Sequence, residues 1–135
     1  MGRLDSTVRR LTVIGEVDRP LVLHLGELLR LPAVERRVQV VCASGQISDV
    51  VMKGATLASV FALARVRGVA RMAHFTCSDG HQERVSLADL IRQEAFLAYR
   101  LGGEEEEEQD SLPRLAIPGN VGSKWAKGVH TIELR

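Results

Sequence analysis

The run Val38-Gln39-Val40-Val41-Cys42-Ala43-Ser44-Gly45 constrains this chain more than any other. It is a β-branched, apolar stretch that stops on a cysteine just as a small-residue turn begins. Valines in this density fit a pleated, half-buried surface better than a helix. A strand also holds its last side chain in a fixed place. The Ala-Ser-Gly that follows lets the backbone turn away with little bulk and leaves room for a ligand. The strand starts at Glu35 with charged residues, so its burial is expected to rise toward Cys42.

The rest of the chain has the same grain. Val8 to Val17 is a strand with one wet face, broken by Asp18-Arg19-Pro20, and Leu21 to Leu25 is a second strand. Gly26 to Leu31 supplies one or two helical turns stopped before Pro32. Asp49 to Gly54 is extended, and Thr56 is placed to cap a helix whose buried stripe is Leu57, Val60, Phe61 and Ala64. Arg71 to Cys77 is a strand, Ser78-Asp79-Gly80-His81 has hairpin-turn composition, and Gln82 to Ser86 returns. Ser86 caps a short helix through Ile91. Phe96 to Leu101 is extended, and Gly102-Gly103 with five consecutive glutamates, Glu104 to Glu108, marks residues 103–111 as an exposed acidic loop. Arg114 to Ile117 and Gly128 to Leu134 are the last strands. Strands outnumber helices and do not alternate with long ones, which predicts an α+β fold with mixed or antiparallel β-sheets and short helices rather than a doubly wound one.

The chain has 135 residues, the size of one domain spanning 1–135, with enough length for its own core. Lys and Arg number 18 against 17 for Asp and Glu, so no global basic field points to nucleic acid or an anionic membrane. Aromatics at 4% leave no base-stacking platform. Two cysteines, Cys42 and Cys77, are too few for a secreted disulfide framework, and the opening Met-Gly-Arg-Leu-Asp-Ser has no apolar signal core. A reducing cytoplasm is expected. No apolar run approaches the roughly 18 residues of a membrane span.

Several segments then resemble, in the right order, the molybdopterin-binding domain of the sulfite oxidase and methionine-sulfoxide-reductase-type oxidoreductases. They are Gly15-Glu16-Val17-Asp18-Arg19-Pro20-Leu21, Leu25-Gly26-Glu27-Leu28-Leu29, Val40-Val41-Cys42, the Gly54 and Leu57 helix entry, Leu97-Ala98-Tyr99-Arg100-Leu101-Gly102-Gly103, and Leu112 through Lys127. The similarity covers nearly the whole chain. It implies mixed sheets around a pterin cofactor, with Cys42 in the position of the thiolate ligand of molybdenum, a soft metal suited to sulfur. The bland alternative is a buried thiol acting as a small hydrophobe.

The same resemblance carries cofactor contacts onto Arg114 and Lys127, where a guanidinium grips phosphate bidentately and an ammonium adds a mobile charge. Gly122, with Gly119, would let main-chain N–H groups approach the anion, Lys124 is a second basic candidate, and the backbone of Trp125-Ala126-Lys127 would lie along the cofactor. Cys77 falls where the family lines the pterin, close enough to Cys42 for a disulfide in the empty protein. Gln109 stands where a His or Asn usually helps hold the cofactor. His81, in its turn, is the candidate proton donor, set against the commoner reading of a solvated turn histidine. The implied activity is molybdenum-dependent oxygen-atom transfer on a small-molecule substrate. A protein partner would take the electrons, because the chain has no ligand set for haem or an iron–sulfur cluster.

Departures from the pattern matter. Sulfite oxidases of the family place arginines soon after the metal cysteine, whereas no basic residue follows Cys42 in Ala43 to Ile47, so the resemblance does not extend to sulfite as the expected substrate. Met52 stands where a tryptophan is expected. Larger relatives have an upstream segment over the cofactor, whereas this chain begins a few residues before its first strand. The resemblance therefore implies a more open pocket, or one completed by a partner. The opposing expectation is a cofactor-free binding or accessory module that keeps the fold with Cys42 idle. Other sites fare worse. His74 and Cys77 lie three apart on one strand and point to opposite faces, which disfavours a zinc site. Residues 119–124 lack the glycine spacing of a phosphate loop, and there is no Gly-x-Ser-x-Gly elbow.

Overall fold

A computed structural model of the chain describes residues 10–41, 44–101, 113–119 and 126–135. The elements are β1 (Arg10–Gly15), β2 (Leu21–His24), α1 (Leu25–Leu28), β3 (Ala33–Val41), β4 (Ile47–Thr56), α2 (Leu57–Ala64), β5 (Met72–Cys77), β6 (Gln82–Ser86), α3 (Leu87–Arg92), β7 (Phe96–Leu101), β8 (Arg114–Ala116) and β9 (Val129–Leu134). The acidic stretch 103–111 lies outside the described residues.

The strands form a five-stranded sheet, β2-β1-β9-β5-β6, and a four-stranded sheet, β3-β4-β7-β8. β1 and β9 run parallel, and the other pairs are antiparallel. The expected α+β fold of mixed sheets and short helices is the one observed. Alternation decides which side chains go inside: Leu11 and Val13 of β1 are buried, while Thr12 is half-buried and Ile14 exposed. Val13, Phe75, Ile132 and Leu134 of one sheet and Val38, Met52, Phe96 and Leu97 of the other join one continuous core. No helix among the described residues is long and apolar enough to cross a membrane.

The helices follow local chemistry. Thr56 Oγ1 accepts the Ser59 N–H at 3.2 Å, and Leu57, Val60, Phe61 and Ala64 are the buried face of α2, as their spacing predicts. Ser86 Oγ accepts the Asp89 N–H at 3.3 Å to open α3. α1 begins at Leu25, one residue earlier than its sequence suggests, because the His24 N–H donates to Glu27 Oε1 at 2.8 Å and fixes the first turn there.

One expectation fails. Burial along β3 does not rise toward Cys42: Val38 is 1% exposed, but Val40 and Val41 beyond it are only half-buried. The reason is the length of the strands. β7 pairs with Met52 through Thr56 of β4, whereas among the described residues Ile47 through Val51 pair with β3 alone. The outer half of the β3–β4 hairpin therefore projects past the described residues of β7, and Ile47 near its end is 58% exposed. Met52, where a tryptophan was expected, is a fully buried core residue.

Gly54 marks the tightest approach in the four-stranded sheet. The β4–β7 register shifts between Lys53 and Gly54, and a Cβ at position 54 would run into the Leu97 carbonyl and the Ala98 Cα. Backbone atoms cannot move aside as a flexible side chain can. Gly54→Ala is expected to destabilise the fold by about 2 kcal/mol or more, read as a lower midpoint in urea unfolding. Thr56→Ala removes the α2 cap and is expected to cost about 1 kcal/mol in the same assay.

Candidate functional site

The two sheets meet at a short main-chain seam. Arg114, the first residue of β8, forms an isolated antiparallel bridge with Lys127, just ahead of β9. The Leu115 N–H donates to the Ala126 carbonyl at 2.8 Å, and the Val129 N–H to the Pro113 carbonyl at 3.0 Å. On the other side of the same strip, Cys77 pairs with Val129, and the Ser78 N–H donates to the Gly128 carbonyl at 2.9 Å. The Lys127 N–H hydrogen-bonds the Cys77 sulfur. Residues 126–129 are thus flanked by Arg114 on one side and by Cys77 on the other.

Residues directly opposite in an antiparallel bridge put their side chains on one face. Arg114, half-buried with its Nε enclosed, and Lys127, exposed, therefore present two cations side by side. Like charges so placed repel. An anion that both can reach turns the repulsion into attraction, and a guanidinium beside an ammonium matches a phosphate-bearing, hydrogen-bonding ligand in charge and donor type. The seam fits such a group.

Cys77 is 1% exposed and carries a free thiol. Burial first, then the nearby carboxylates of Asp79 and Glu83, push this thiol up, while the Lys127 N–H pulls the other way. At neutral pH it stays protonated, so it suits a lining position better than that of a metal ligand, which must be a thiolate.

His81 faces Cys77 across the β5–β6 hairpin, where the Cys77 N–H donates to the His81 carbonyl at 2.9 Å. The register that opposes Phe75 to Glu83 puts Glu83, His81, Phe75 and Cys77 on one face of the ribbon. The His81 ring Nε2 lies 2.9 Å from Glu83 Oε1, and the His81 N–H donates to Asp79 Oδ1 at 2.9 Å, which shapes the turn. Sequence reasoning missed Glu83. Its signal was available in the period-two spacing of His81 and Glu83, which puts both on one face of a strand. His74, by contrast, sits on the opposite face, paired with Arg84 and Glu133. Burial, then Arg135 and Arg84, hold its imidazole below the usual range. Among the described residues, no group of three or more His, Cys, Asp or Glu could hold a metal ion.

Of the other candidates, Cys42, Gln109, Gly122, Lys124 and Trp125 lie outside the described residues. Val41, the last residue of β3, and Ile47, the first of β4, pair across the β3–β4 hairpin. Registers run Phe96↔Ala116, Ala98↔Arg114 and Thr56↔Phe96. The end of the four-stranded sheet that carries Arg114 is therefore the end from which this hairpin projects.

Comparison with known proteins agrees with this fold. The crystal structure of the sulfane dehydrogenase SoxCD from Paracoccus pantotrophus superposes with a TM-score of 0.84 at 22% identity, covering 96% of this chain and 38% of that one. That likeness is one of fold. The uncharacterized oxidoreductase YuiH of Bacillus subtilis (strain 168) is 24% identical over 130 residues, 93% of this chain and 66% of its own length. The chain thus spans less than two thirds of either protein. The sequence pattern of the oxidoreductase molybdopterin binding domain matches residues 3–135, and the chain belongs to that family.

Proposed function

We propose that this chain binds the molybdenum cofactor at the Arg114–Lys127 seam, with Cys42 as the thiolate ligand of the metal, and acts as an oxygen-atom-transfer oxidoreductase. The observation that supports this most is the placing of two cations directly opposite one another where the two sheets join. When bound, the cofactor supplies two-electron redox chemistry at molybdenum. The protein supplies position, charge and protons.

Arg114 would grip the cofactor phosphate bidentately from its half-buried site, and Lys127 would follow it with a mobile charge. The main chain at Ala126, with Gly122, Lys124, Trp125 and Gln109, would complete the cradle. Cys77 would line the pocket as a neutral thiol. Glu83 holds His81 by Nε2, which leaves Nδ1 as the nitrogen that exchanges a proton with substrate. The carboxylates of Asp79 and Glu83 beside Cys77, together with the absence of a basic residue in Ala43 to Ile47, favour a neutral substrate over sulfite. A cytoplasmic setting would keep both cysteines reduced, and a redox partner protein would carry the electrons away.

Protein produced in a host that makes the cofactor is expected to contain molybdenum and release a fluorescent pterin. Cys42→Ser should lose the metal, while Arg114→Gln and Lys127→Gln should each lower cofactor retention about tenfold or more. Folded protein with neither metal nor pterin would instead support an accessory module.

The Cys77 thiol gives a second check. Its pKa is higher in the fold than in the unfolded chain, so between the two values the native state holds the proton that the unfolded state has lost. Stability should be fully present at neutral pH and fall as pH rises past about 8.5. Unfolding midpoints measured across that range should flatten in Cys77→Val.

A further inference from the structure

β3 is an edge strand: its neighbour is β4, and among the described residues no strand lies beyond it. An edge of this length, Ala33–Val41, is an open template for another strand. Its centre, Glu35-Arg36-Arg37, would ordinarily deter pairing by charge, yet these charges complement themselves in one antiparallel register. We propose that β3 pairs with the β3 of a second copy of this chain, antiparallel about a two-fold axis at Arg36, and joins the two four-stranded sheets into one.

The register follows from charge. With the axis perpendicular to the sheet, facing residues share a side only when the axis passes through a residue. Centred on Glu35, the pairing sets Glu35 against itself, and centred on Arg37 it sets Arg37 against itself. Centred on Arg36, it sets Glu35 against Arg37 of the second copy twice, on the side where both are exposed, and Val34 against Val38 twice on the other. Arg36 meets its own copy at the axis, but each Arg36 already carries an ion pair with Glu94 of its own chain. Beyond Gln39, Val40 would face Pro32, which has no N–H to donate, so the ladder closes over Ala33 to Gln39. Within its own chain Glu35 faces Lys53, whereas Arg37 faces Val51, which makes Arg37 the cleaner position to test.

Sedimentation velocity of the full chain at tens of micromolar should show a dimer. Arg37→Glu and Glu35→Arg, each checked by circular dichroism for an unchanged fold, should weaken it about tenfold or more by placing like charges in register. The double variant Glu35→Arg/Arg37→Glu should return it to the wild-type range. A monomeric wild type, a dimer indifferent to the single reversals, or a double variant that stays weakened would each overturn the pairing.

Discussion

Two β-sheets that share no strand among the described residues are held together by a few main-chain hydrogen bonds between Pro113–Leu115 and Ala126–Val129. Each of these bonds is ordinary, worth about 1 kcal/mol net. Their position gives them weight, because the strip that joins the sheets also carries Lys127 and abuts both Arg114 and Cys77. Whatever aligns the sheets therefore aligns the candidate site.

A second junction lies around the end of α2. Val17 bridges Val66, the Asp18 and Arg19 N–H groups donate to the Arg65 and Ala64 carbonyls, and Arg67 pairs with Asp18 at 2.8 Å and Glu16 at 3.5 Å. The ion pairs are exposed and contribute little. The backbone bonds fix the helix end, and Arg65 adopts a left-handed φ of 56° there without being a glycine. Between the two junctions, the aliphatic core does the remaining work. α2 and α3 pack against each other and against β4, β7 and β6, while β5, β6 and the seam lead to the end where Cys77 and His81 sit.

The placing of the candidate residues follows this division. The elements that bury side chains on both faces, such as β7 with Phe96, Leu97 and Ala98 all fully enclosed, have no surface left for chemistry. Among the described residues, two places with a free side carry candidates: the β5–β6 turn with His81 and the start of β8 with Arg114.

Much of this was legible in the sequence. The Thr56 and Ser86 caps, the Leu57-Val60-Phe61-Ala64 stripe and the β5–β6 turn depend on residues within one or two helical turns or a hairpin of each other, and local chemistry determines them. The family pattern and the identities of Arg114, Lys127 and Cys77 as candidates were likewise present in the chain itself. Tertiary structure alone decided what depends on distant partners. It set Arg114 against Lys127, left Val40 and Val41 only half-buried beyond the described pairing of β7, required glycine at position 54 because Leu97 lies against it, and turned Glu83 toward His81. Sequence specifies which residues are available and their local periodicity; only the packing of strands far apart in the chain decides which of them face one another.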